Sequence, residues 1–147
     1  MHPFDLRSIL LAKHAQHVAL VHFPIALFLV GFVFDLAAHR TKRLDLATVA
    51  RHNLILAAIC TVPVFGTGLA AWQWALQGAS LKGVLLLHLV FASFSSVLIW
   101  ITGLLHFRSL RKPAVPLPGF RLPIEAVAAI LIAITGHLGG FVSGVST

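Results

Sequence analysis

Residues 81–107 read LKGVLLLHLVFASFSSVLIWITGLLHF, and Lys82 is the only Lys, Arg, Asp or Glu among them. As a helix this stretch is about 40 Å long at roughly 1.5 Å per residue, enough to cross a hydrocarbon core of about 30 Å. It is apolar on every face, a pattern that a surface helix of a soluble protein does not have. Mid-membrane there is no water to satisfy the backbone, so its polar groups must bond within the segment. The stretch therefore predicts a transmembrane helix.

Three further stretches follow the same rule. They run from His17 to Ala38, with an apolar centre at Phe23–Leu36, from Asn53 to Leu76, and from Pro123 to Val145. The expected fold is all-α: an integral membrane four-helix bundle, one membrane domain over residues 1–147 with spans of about 17–38, 53–76, 81–107 and 123–145. Composition agrees, with 59% hydrophobic and 10% charged residues, where soluble domains run near half and a quarter. A disulfide scaffold is excluded because Cys60 is the single cysteine. No cleavable signal peptide is expected, since polar Lys13, His14, Gln16 and His17 precede the first span and no short apolar core with a small-residue cleavage site is present. Pro113, Pro116, Pro118 and Pro123 predict a stiff connector between the last two spans.

The net charge of +7 lies almost wholly in the hydrophilic connections, with no basic helix or aromatic groove for a phosphate backbone, so nucleic acid is not an expected partner. The segments His39–His52 and Arg108–Leu122 hold eight Lys or Arg, and the opposite side holds three. By the positive-inside rule the two basic segments face the cytoplasm and both termini lie on the periplasmic side. A bacterial inner (cytoplasmic) membrane is the expected location, with the protein crossing it several times. Trp72 and Trp74 then fall near the outer interface.

Nine histidines beside four acidic residues are unusual in such a chain. His22, His88 and His137 fall inside three different spans, each roughly 8 to 12 Å from the outer boundary by residue count. Intramembrane ionisable groups usually have a partner or a function. Small residues accompany them: Ala126, Ala129, Ala133, Gly136, Gly139, Gly140 and Gly144 on the last span, Ala92 and Ser95 on the third, and Cys60, Thr67, Gly68 and Ala71 on the second. Such faces permit close helix contact or leave room for a flat cofactor. Imidazole is an established axial ligand of haem iron. The expected site comprises His22, His88 and His137 as candidate axial ligands, a pair containing His88 being favoured, with Gly136 and Gly140 beside the cofactor. His52 and His106 offer a second site near the cytoplasmic boundary, although histidines there can simply snorkel. His14 and His17 offer a shallower site or, as the preferred reading, are solvated at the outer interface. Asp35 and Glu125 are expected to pair with Arg or His, with proton exchange as the alternative role.

The segment His22-Phe23-Pro24-Ile25-Ala26-Leu27, followed by Gly31 and Asp35, resembles the opening pattern of a bacterial four-helix membrane family, domain of unknown function 2231. Thr135-Gly136-His137-Leu138-Gly139-Gly140, followed by Gly144-Val145, is similar to its closing pattern, and His88 matches a third-span histidine. Ser143 stands where many relatives have a tyrosine. The family is defined by sequence and not by activity. Members occur near, or fused to, Rieske-type iron–sulfur and cytochrome components, so the resemblance implies a membrane redox role.

The leading expectation is thus a b-type haem protein with one or two haems, an electron-transfer subunit rather than a stand-alone enzyme. It would link a periplasmic redox partner (Rieske-type or cytochrome) to quinone or another membrane subunit, in a homo- or hetero-oligomer. The alternatives are a His-ligated Cu or Zn membrane protein, and a non-catalytic anchor or assembly subunit of a redox complex. No nucleophile–base pair, phosphate loop or paired CxxC supports hydrolytic or nucleotide chemistry.

Overall fold

The structure, a computed structural model, describes residues 15–112 and 116–143. Four helices follow one another: α1 (Ala15–Thr41), α2 (Leu44–Trp74), α3 (Gly83–Arg111) and α4 (Arg121–Val142). Each is long and apolar enough to cross a membrane. Large apolar side chains point away from the bundle on all four, including Phe23, Ile59, Phe94 and Ile130, each at least 60% exposed. A soluble protein could not carry so much scattered apolar surface; a bilayer solvates it. Gly144 and Val145, together with His14, lie outside the described residues.

The first connection differs from the expected loop at His39–His52. The helices continue past the apolar stretches on both sides, and only Lys42 and Arg43 join them. Lys42 takes φ +60, a left-handed conformation that ends α1 and reverses the chain. Hydropathy marks where the apolar residues stop. Backbone hydrogen bonding stops later, because Leu44–Asn53 carries good helix formers around Arg51 and His52. Similarly, Pro123 lies inside the first turn of α4, where its missing N–H costs nothing.

The short turn makes α1 and α2 an intimate antiparallel pair, α3 and α4 form a second, α2 joins them, and α1 touches α4 least among the neighbours. Phe28, Leu54, Ala57, Ile99, Ala128 and Ile132 meet at mid-bundle as an apolar plug drawn from all four helices. Lipid tails are as apolar as these side chains, so close packing rather than hydrophobic transfer holds the helices together. Two glycines set that packing. A Cβ on Gly31 would lie 2.7 Å from Leu54 Cγ, and one on Gly103 would collide with the Cβ of Ala58. Gly136, by contrast, faces open space. Overpacking costs about 1–3 kcal/mol, and replacing a helical glycine by alanine gains about 1 kcal/mol of propensity. Gly103→Ala should therefore lower the thermal unfolding temperature in detergent, and Gly136→Ala should leave it unchanged or raise it.

Candidate functional site

The plug separates two histidine-bearing regions, one at the end bearing Trp72 and Trp74, the other near the basic connections. Towards the tryptophan end all four helices line an apolar, partly open cavity of about 200 Å³. Its wall includes Pro24 from α1, Phe65 and Trp72 from α2, Ala92 from α3 and Thr135 from α4, with two imidazoles, His17 and His88. Ser95 and Ser96 also line it, but both hydroxyls donate to the carbonyl of Ala92, which leaves the lining effectively apolar.

His88 is half-buried, and its Nδ1 lies 3.1 Å from the carbonyl oxygen of Thr135 on α4. A carbonyl only accepts, so Nδ1 carries the proton and the neutral ring presents Nε2 as a bare lone pair. Among the described residues no hydrogen bond engages that nitrogen. Ligating histidines are commonly oriented in this way, one ring nitrogen donating to a backbone carbonyl and the other left for the metal. His17 is also held through Nδ1, here by a side chain. The Thr67 hydroxyl donates to the Val64 carbonyl at 3.0 Å, so it accepts from His17 Nδ1 at 3.2 Å. A glycine backs each ring: a Cβ on Gly139 would stand 3.2 Å from His88 Cε1, and one on Gly68 3.0 Å from His17 Cε1.

The structure does not bring His22, His88 and His137 together. His22 is exposed on α1, its Nδ1 donating to the Val18 carbonyl at 2.8 Å. His137 is exposed on α4, edge-on to Phe141 with ring centroids 5.0 Å apart. Neither lines the cavity. Residue counting gives the three a common depth, but they do not share a direction. Five residues rotate a helix by about 140° beyond one full turn, so His17 and His22 face apart. The inward face of α4 runs through Arg121, Glu125, Ala128 and Ile132 on to Thr135. It does not run through the expected alanine–glycine stripe, and Ala133 and Gly136 are exposed. Gly140 is half-buried, and Gly139 is the glycine that approaches an imidazole. His17, read from sequence as interfacial, proves to be a cavity residue. Its signal was the five-residue offset from His22, combined with Gly68 on the facing helix.

The second region lies about one turn inside the basic end. Asp35 from α1, His106 from α3, and Arg121 and Glu125 from α4 are all buried there. Arg121 Nε donates to Asp35 Oδ2 at 2.7 Å, with a longer contact of 3.4 Å from its terminal nitrogen to Oδ1. His106 Nε2 and Glu125 Oε1 are 3.1 Å apart. The expected pairing of both acids is thus present. His106 does not snorkel, as a boundary histidine would: it is fully buried because Glu125, one turn into α4, offers it a partner inside the bundle. The second site expected from His52 and His106 does not assemble, since His52 is exposed and bonds the Thr48 carbonyl of its own helix.

A family model described as "Predicted membrane protein (DUF2231)" matches residues 13–145. No curated protein and no solved structure matches the chain.

Proposed function

The chain belongs to the DUF2231 family of predicted membrane proteins, and we propose that it is a redox subunit whose cavity binds a b-type haem on His88. The observation that carries this reading is the fixed tautomer of His88. Thr135 holds Nδ1–H, and Nε2 is left as a donor nitrogen in an apolar wall shared by four helices. His17 is the second imidazole of that wall. A haem bound there supplies one-electron exchange, while the bundle orients the imidazole and keeps water out. The eight-to-three distribution of basic residues supports a cavity on the periplasmic side of a bacterial inner membrane, facing a Rieske-type or cytochrome partner.

The cavity volume favours one second reading. About 200 Å³ is below the roughly 300 to 1,000 Å³ of typical small-molecule sites. A macrocycle requires the bundle to open, with α1 and α4 its weakest seam, whereas a quinol ring is slimmer. A bare Nε2 is also a suitable acceptor for a quinol hydroxyl.

Absorption spectra of the protein purified from haem-replete membranes, oxidised and then reduced, test the proposal. A Soret band that sharpens and shifts on reduction is expected, unchanged in His22→Ala and His137→Ala because those rings lie outside the cavity. No Soret band with one quinone per chain in a solvent extract selects the second reading. Neither pigment nor quinone overturns both.

A further inference from the structure

We infer that Asp35, His106 and Glu125 bind a first-row divalent transition ion, Mn²⁺, Fe²⁺ or Zn²⁺, independently of whatever occupies the His88 cavity. One ligand atom from each residue lies within 4.8 Å of the others, and all three residues are at most 1% exposed. The 3.1 Å separation of His106 Nε2 and Glu125 Oε1 is close to the edge of a tetrahedral site, about 3.4 Å for metal–ligand bonds of roughly 2.1 Å. An ion there takes the place of the proton now shared between the two side chains. Arg121 grips Asp35 from one side, the usual way of orienting a ligating carboxylate, and its weak 3.4 Å contact leaves Oδ1 available.

The unused polar atoms around the cluster point the same way. Glu125 Oε2 and Thr102 Oγ1 are buried with no hydrogen-bond partner. Buried polar atoms are nearly always paired, and leaving one bare is costly. Thr102 is the telling one. Among the described residues, every other helical serine or threonine donates to a carbonyl of its own helix: Thr41, Thr48, Thr61, Thr67, Ser93, Ser95, Ser96, Ser109 and Thr135. Thr102 does not, although it is 1% exposed and sits one turn from His106 on the same face of α3. Its hydroxyl is left unpaired one turn from His106.

Donor chemistry selects the ion class. Two carboxylates and one imidazole suit Mn²⁺, Fe²⁺ or Zn²⁺; an imidazole disfavours Ca²⁺ and Mg²⁺, and the absence of thiolate or thioether disfavours Cu⁺. Three protein ligands also leave a coordination position open to water.

The test is metal analysis of the full chain in detergent, stripped with chelator and titrated with Mn²⁺, Fe²⁺ or Zn²⁺ separately. One ion per chain is expected, bound more tightly at higher pH because binding releases a proton. Glu125→Gln, nearly isosteric, should lose at least about a hundredfold in affinity, more than the roughly 10–100-fold effect of an outer-shell partner. His88→Ala should keep the ion, which separates this site from the cavity. Even if Glu125→Gln fails to fold, a chain with the exposed His22, His39, His52 and His137 all changed to Asn decides the matter. It should retain its ion, whereas loss there overturns the inference. So does a wild-type chain with no stoichiometric ion, or a folded Glu125→Gln that binds as the wild type does.

Discussion

Arg121→Met is expected to be the most destabilising single change in the chain, at about 3–5 kcal/mol, read from thermal or denaturant unfolding in detergent. The partner explains the size. Asp35 is 1% exposed and faces the interior of a membrane bundle, where its carboxylate relies on the Arg121 guanidinium at 2.7 Å. Methionine keeps most of the side-chain volume but leaves that charge bare in a low-dielectric setting. The double variant Asp35→Leu/Arg121→Met should recover most of the loss, because replacing a buried pair by apolar residues is often neutral. A double variant as unstable as the single one would show that Arg121 acts through packing and not through Asp35. The exposed pair Arg43–Asp45 is the internal contrast, since both side chains are more than 60% exposed and solvent screens them. Removing Asp45 should leave the unfolding midpoint unchanged within the scatter of repeated measurements.

The second large effect is expected at His88. On the proposed function, His88→Ala removes a ligand nitrogen from the cavity wall and should abolish the haem spectrum, with helical content unchanged by circular dichroism. Stability should fall little, because the ring is only half-buried and its one bond is to a carbonyl that α4 already uses. Gly139→Val acts on the same ring from behind. A Cβ there meets His88 Cε1 at 3.2 Å, so the imidazole must tilt and the spectrum should shift without vanishing.

Membrane architecture was readable in the sequence because it depends on the amount and length of apolar residues, which need no knowledge of neighbours. Residues 81–107 alone announce a span, and Asp35 and Glu125 announce a need for partners. Direction around each helix was not readable in the same way. All four helices are apolar on every side, so periodicity hardly distinguishes the face that meets protein from the face that meets lipid. His22 and His137 were therefore placed by depth, while His17 and Thr135 hold the inward positions. His106 was misread for a related reason: its height suggested an interface, and only the register of α3 against α4 reveals Glu125 opposite it. The connection at Lys42–Arg43 shows the converse error, in which hydropathy stops before the helix does.

The claim on which the functional account rests is that His88 Nε2 is a ligand atom. Haem titration of His88→Gly, with and without added imidazole, tests it most directly. The account predicts that His88→Gly loses the wild-type spectrum and that imidazole, diffusing into the vacated space, restores it. A His88→Gly protein that binds haem with the wild-type spectrum and stoichiometry before imidazole is added would contradict it.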